Sequence, residues 1–265
     1  MKRKIIVVAD DFGLSEAFNL GVIKAYSDGI VSSLNLIVNL ESSKHAISLV
    51  KEHCPEVELS LHVNYVQGKP VSNPEDIPTL VDENGEFYRS KYWVNEGNSS
   101  GKCMGSINPS VDDLYRECMA QIEYFKELTG HYPVSFDAHS VATKNVEEAF
   151  TRTAKEKHVR CPYYANGKPE LHEHSLIDRN GESILMRGSR LDDWINDTSN
   201  LLNSPYPVNI LHFHPGYIDK YILDNSSLTL PRCYDLDTLC DPELKSWLKE
   251  QNMEVITFRD AYNTN

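Results

Sequence analysis

Two hydrophobic rhythms alternate along this chain. Ile5–Ala9 is a short continuous apolar run, the pattern of a strand buried on both faces. Ser15 then offers an N-cap for a helix over 16–27, with Glu16 favouring its positive end and Asp28-Gly29 stopping it. A strand over 31–38, a helix over 42–53 and a strand over 56–65 follow. Val111, Leu114, Tyr115, Cys118, Ile122, Phe125 and Leu128 keep helical spacing. Ser110-x-x-Asp113 resembles a capping box at their start, and Gly130 ends the run. Beyond it the pattern predicts a strand at 134–139, then a helix at 146–157 capped by Asn145. Strands near 159–163, 183–188 and 208–213 and helices near 191–202 and 242–251 follow, with a last strand at 254–258. Asp241-Pro242 marks the start of the last of these helices.

Strands alternating with helices imply a parallel sheet. The number of such units predicts an α/β fold of the irregular (β/α) barrel kind, TIM-barrel-like, with 1–265 as one domain. Folds of this class place their chemistry at the carboxyl ends of the strands. The stretch 66–109 breaks the rhythm. It is rich in Gly, Pro, Asn and Ser and reads as a long inserted loop placed to cover a site, with Asn84-Gly85 able to turn a short hairpin.

Composition narrows the function. The formal net charge of -13 weighs against nucleic-acid and anionic-membrane partners. No apolar run approaches the ~20 residues that span a bilayer. The apolar run behind Lys2-Arg3-Lys4 is cut short by Asp10 and Asp11, below the ~7–15 residues of an export signal, so a cytoplasmic location is expected. The six cysteines are scattered with no CxxC and read as reduced, structural residues.

The candidate chemistry sits at strand ends. Asp10 and Asp11 close the first strand, either as a turn pair or as acids facing a functional mouth. His62 shares one face of Leu59–Asn64 with Ser60 and Asn64, and His139 shares one face of Val134–His139 with Ser135 and Asp137. One strand histidine alone is commonly structural; two of them beside an acid pair point to a metal. Two imidazoles and a carboxylate suit Zn, Fe, Co, Mn or Ni and leave positions open for water and substrate. His212 and His214 share a face of the 208–213 strand, and Pro215-Gly216 ends it, so His214 sits nearest the rim, where it could protonate a departing amine. Arg232 could pair with Asp10, or lie on the surface. Tyr65, Tyr88, Tyr92 and Trp93 flank the long loop, where they could stack on a sugar ring or simply pack the loop. His172 and His174 lie in a polar stretch and read as exposed.

Several short motifs occur here in one order: Ala9-Asp10-Asp11-Phe12-Gly13-Leu14-Ser15, Asn19-Leu20-Gly21-Val22, Val31-Ser32-Ser33, Leu61-His62-Val63-Asn64, Asp137-Ala138-His139 and His214-Pro215-Gly216-Tyr217. In that set the chain resembles the YdjC/ChbG (HpnK-related) carbohydrate deacetylases along almost its whole length. The resemblance implies removal of the N-acetyl group from an acetylated amino sugar such as diacetylchitobiose or its phosphate. It implies one divalent metal, given as magnesium in the family, with zinc or another transition metal also suited to the donors. It implies Asp11, His62 and His139 as ligands, Asp10 as base and His214 as acid, with Arg232, Asp137, Asn64, Tyr65 and Trp93 as substrate-binding or supporting residues. It also implies a homodimer. One departure stands out: many relatives carry a histidine-rich segment where this chain has Ser140-Val141-Ala142-Thr143. A barrel phosphoesterase and a non-catalytic sugar-binding protein are the competing readings.

Overall fold

The computed structural model describes residues 2–94, 105–162 and 171–263. In chain order the elements are β1 (Arg3–Phe12), α1 (Glu16–Ser27), β2 (Ser33–Leu36), α2 (Ser43–His53), β3 (Leu59–Val63), α3 (Val111–Thr129), β4 (Phe136–Ala138), α4 (Lys144–Lys157) and β5 (His172–Glu173). They continue with α5 (Ile184–Arg187), α6 (Leu191–Ile195), β6 (Val208–Phe213), α7 (Lys220–Asn225), α8 (Leu230–Leu239), α9 (Pro242–Glu250), β7 (Met253–Val255) and α10 (Phe258–Asn263). They fall into two compact units. One comprises Met1–Leu36, Glu41–Leu59 and Leu171–Asn265; the other comprises Ile37–Leu40 and Ser60–Glu170.

The first unit is built on β1. Ile5 to Ala9 have no exposed surface, which is why this strand reads as one continuous apolar run. β6 pairs in parallel with Lys4 to Ala9. β7 takes Arg3 to Ile5, and β2 takes Val8 to Phe12. β5 adds to β6, also in parallel. α1 starts where the sequence puts it: the Ser15 hydroxyl accepts from the Phe18 amide at 3.2 Å. A Cβ on Gly21 would sit 2.5 Å from the Gly216 Cα, so this glycine lets α1 lie directly against the turn that follows β6. Glu58, buried and pushed up by desolvation, accepts from the Phe258 and Arg259 amides and caps α10.

In the second unit β3 and β4 pair in parallel, His62 opposite Asp137. The amphipathic α3 is capped by Ser110, whose hydroxyl accepts from the Asp113 amide at 3.2 Å, and it ends at Gly130 with φ +86°. Within the stretch predicted as a loop, Val81 and Phe87 form an antiparallel bridge and Gly85 adopts φ +71°, so the Asn84-Gly85 hairpin is present. The buried Glu117 carboxylate accepts from the Val71 and Ser72 amides and ties this stretch to α3.

Several expectations are corrected. α4 is capped by Thr143, accepting from the Val146 amide at 3.3 Å, while Asn145 donates to the Pro109 carbonyl. The 183–188 segment is the helix α5, because Ser183 caps it and Gly188, at φ +84°, ends it. His172 on β5 and His174 just after it are half-buried, and burial pushes His174 below its ordinary range. Arg232 belongs to α8, a helix whose buried face includes Arg232, Asp235 and Thr238.

Candidate active site

The end of β1 is irregular. Its register with β2 breaks between Ala9 and Phe12, and Asp11 takes φ +64°, a left-handed conformation that costs a non-glycine residue about 1 kcal/mol or more. The bulge frees two consecutive acids from the rule that neighbours in a strand face opposite ways. The structure is pinned from behind: the Leu14 amide donates to the Asp11 carbonyl at 3.0 Å, and the Gly13 amide donates to the Asn19 side chain at 2.7 Å. These bonds account for the Asp-Phe-Gly-Leu-Ser and Asn19 parts of the motif.

The two acids are held by different partners. Asp10 is 5% exposed. Asn35 on β2 donates to its Oδ1 at 2.7 Å, and His212 Nδ1 on β6 lies 2.9 Å from its Oδ2. Asp11 is 1% exposed, and its Oδ2 receives Arg232 Nη2 at 2.8 Å. Arg232 therefore pairs with Asp11 and not with Asp10, because α8 brings the guanidinium over the Phe18 ring, 4.7 Å from its centroid. The same guanidinium donates to the Leu228 carbonyl, and Nη1 is buried without a hydrogen-bond partner among the described residues. His214 Nε2 is 3.8 Å from Asp11 Oδ2, beyond hydrogen-bond reach but at the same strand end. Its backbone amide donates to the buried Asp235 carboxylate, which also accepts from the Ser189 amide. Desolvation pushes Asp235 up to about 7.

The second unit carries the imidazoles. His62 Nδ1 is 2.6 Å from Asp137 Oδ1, an arrangement that orients the ring and leaves Nε2 as its outward nitrogen. The His139 ring meets the His62 ring edge-on, centroids 5.2 Å apart, and the His139 amide donates to the Val63 carbonyl. Ser140 follows in a left-handed turn at φ +67°, Val141 is buried and Thr143 caps α4, so the Ser140–Thr143 segment is spent on local structure. Acidic and imidazole groups that could hold a divalent ion thus occur in both units: Asp10, Asp11 and His212 in the first, His62, Asp137 and His139 in the second.

Tyr65 and Trp93 take the packing alternative among the described residues. Both are fully buried. Tyr65 donates to the Leu114 carbonyl at 2.7 Å, Trp93 donates to the Tyr88 carbonyl at 3.1 Å, and the two rings stack 6.4 Å apart. Asn64 is likewise occupied internally, donating to Asn39 and the Gln67 carbonyl and accepting from the Val66 and Gln67 amides.

The sequence profile described as YdjC-like protein matches residues 4–250. The chain belongs to the YdjC-like family. Over 260 residues it is 31% identical to "Carbohydrate deacetylase 2" of Listeria innocua, covering 97% of this chain and 98% of that one. It is 30% identical to a carbohydrate deacetylase of Clostridium beijerinckii, covering 97% and 99%. It is 29% identical to the chitooligosaccharide deacetylase of Serratia marcescens, covering 98% and 100%. Among solved structures it is similar to one from Enterococcus faecalis V583 described provisionally as a cellobiose-phosphate cleavage protein. That likeness has a TM-score of 0.79 at 20% identity, covering 98% and 99% of the two chains, and shows a shared fold.

Sequence reasoning missed what surrounds the acids in this YdjC-like protein. His212 was visible only as sharing a face with His214. Asn35 sits in an ordinary strand, and Asp235 lies on a helix that apolar periodicity did not reveal. No local pattern announces a partner 202 residues away, as His212 is from Asp10.

Proposed function

We infer that the protein is a carbohydrate N-deacetylase acting on acetylated amino sugars, with chitooligosaccharides such as N,N'-diacetylchitobiose, free or phosphorylated, as the substrate class. The observation that carries this reading is the pair of buried acids at the bulged end of β1, each with its own partners. One acid is thereby available as a base and the other as a ligand. Family membership across nearly the whole chain, among relatives named carbohydrate deacetylases, supports it.

The donors fit a divalent ion. Asp11, His62 and His139 would supply one carboxylate and two imidazoles, and the His62–Asp137 contact is the outer hydrogen bond that a metal-ligating histidine ordinarily makes. An ion held there, magnesium by family likeness, would polarise the acetamide oxygen and acidify the attacking water. Asp10 takes a proton from that water. The water oxygen adds to the acetamide carbon, and His214 gives a proton to the nitrogen as the C–N bond breaks. Acetic acid and a free amine leave, the acid then ionising to acetate, with Asp10 protonated and His214 deprotonated until both exchange with solvent. The Asp235 carboxylate, bonded to the His214 amide, fixes the backbone from which the acid works. By the same likeness the protein acts as a homodimer in the cytoplasm, which light scattering and cell fractionation would check.

Acetate release from N,N'-diacetylchitobiose by protein reloaded with single metal ions tests the reading. Metal-dependent release supports it. Silence across a panel of acetylated sugars, from folded and loaded protein, contradicts it.

A further inference from the structure

We propose that His212 and Asn35 are positioning residues that together fix the carboxylate of Asp10 in one orientation. The proposal rests on Asp10 being the base of the deacetylase. Each residue takes a different oxygen of Asp10: Asn35 Nδ2 at 2.7 Å from Oδ1, and His212 Nδ1 at 2.9 Å from Oδ2. Both come from strands that flank β1, not from loops. Ala9 is opposite Leu34 and Phe12 is opposite Leu36, so across the bulge Asp10 and Asp11 together stand against the single residue Asn35 of β2. Val8 is opposite His212 on β6, and Asp10, two residues on, is its diagonal neighbour on the same face. The backbone ladders of three strands therefore hold the triad Asn35–Asp10–His212.

The protonation pattern follows from the acceptor. A carboxylate only accepts, so the histidine must present Nδ1–H to Asp10 and the asparagine must present its NH2. Asp10 and Asn35 are 5% and 1% exposed, and hydrogen bonds made away from water are held more stiffly than those on a surface. Two such donors on separate oxygens leave the carboxylate no second rotamer to occupy. A general base must sit within hydrogen-bond reach of the proton it removes, and misplacement by about 1 Å costs on the order of 100-fold in rate. The bulge completes the arrangement: Asp11 turns into the left-handed region and meets Arg232, while Asp10 meets Asn35 and His212.

The test is steady-state acetate release from N,N'-diacetylchitobiose by metal-loaded variants, with melting temperature and bound metal measured on each. His212→Asn keeps an N–H donor near the Nδ1 position and is expected to retain kcat within about tenfold. His212→Gln, whose amide reaches towards the Nε2 position, and His212→Ala are expected to lose kcat by about 100-fold with KM nearly unchanged. Asn35→Asp sets a second acid against Asp10 and should lose at least as much, whereas Asn35→Ala loses about tenfold. Wild-type metal content in all of them is expected. An active wild type whose His212→Ala variant keeps its kcat would overturn the inference while leaving the deacetylase reading intact. Loss of the ion from His212→Ala would overturn it by making His212 a ligand. Should His212→Ala not fold, equal kcat in the Asn and Gln variants overturns it instead. A wild type silent on every acetylated sugar would overturn the deacetylase reading and this inference with it.

Discussion

The end of β1 and the ends of β3 and β4 hold their polar side chains in different ways. At β1, two adjacent acids are separated by a bulge and a left-handed residue. Each is then bound by side chains from distant elements: Asn35 and His212 for Asp10, Arg232 for Asp11. At β3 and β4, the histidines follow plain strand alternation, and their support comes from directly across the ladder, His62 against Asp137. The first arrangement spends backbone strain to give two identical groups different surroundings. The second places two imidazoles side by side with no recorded strain in the strands themselves. Different surroundings for like groups are how one site obtains both a base and a ligand from carboxylates.

The sharpest way to break this comparison is to remove one member from each side. Asp10→Asn and His62→Ala are both expected to lower kcat by about 1000-fold. Only His62→Ala should lose the bound ion, which elemental analysis of the purified proteins reads. If Asp10→Asn also loses its metal, the two acids do not divide the work.

A smaller effect tests how Asp11 is held. Removing one partner of a buried ion pair costs about 3–5 kcal/mol. Arg232→Met should therefore lower unfolding stability in urea by that order, with part of the loss recovered when a divalent ion is added. Unchanged stability would show that the guanidinium is not the counter-ion of Asp11.

On the other side, Asp137→Asn leaves His62 in place but weakens the bond that orients it. Metal affinity measured by competition with a chelator should fall about 10–100-fold. An unchanged affinity would mean that β3 alone orients the ring.

The smallest effect concerns pH. Burial raises Asp235 from the ordinary 3.8 to about 7, so the folded protein binds this proton more tightly than the unfolded chain does. Stability from this group is therefore present at low pH and is lost as pH rises towards 7, with no further change above. Asp235→Asn should flatten that decline in melting temperature between pH 5 and pH 8. A decline equally steep in the variant would remove Asp235 as its source.

Much of the fold was legible because local signals agreed. The apolar run of β1, the Ser15 cap of α1 and the Ser110 to Gly130 bounds of α3 each combine periodicity with a terminus signal. α8 was not legible, because its buried face carries Arg232, Asp235 and Thr238, and polar inward positions invert the pattern that marks a helix. The 183–188 segment misled because four apolar or long residues in a row suit either a strand or one helical turn. At the site, strand alternation exposed His62, His139 and His214, and adjacency exposed Asp10 and Asp11. The partners of the two acids depend on tertiary pairing alone. Tyr65 and Trp93 looked like sugar contacts because aromatic residues beside a loop suit that role, and only burial shows them to be core.

The most direct test of the central claim is acetate release from N,N'-diacetylchitobiose and its phosphate by metal-stripped protein resupplied with Mg, Zn, Co, Mn or Ni one at a time. Release that depends on the added ion and vanishes in Asp10→Asn, with metal still bound, is the predicted result. Phosphatase activity with more than one ion per chain, or sugar binding without any turnover, would contradict it.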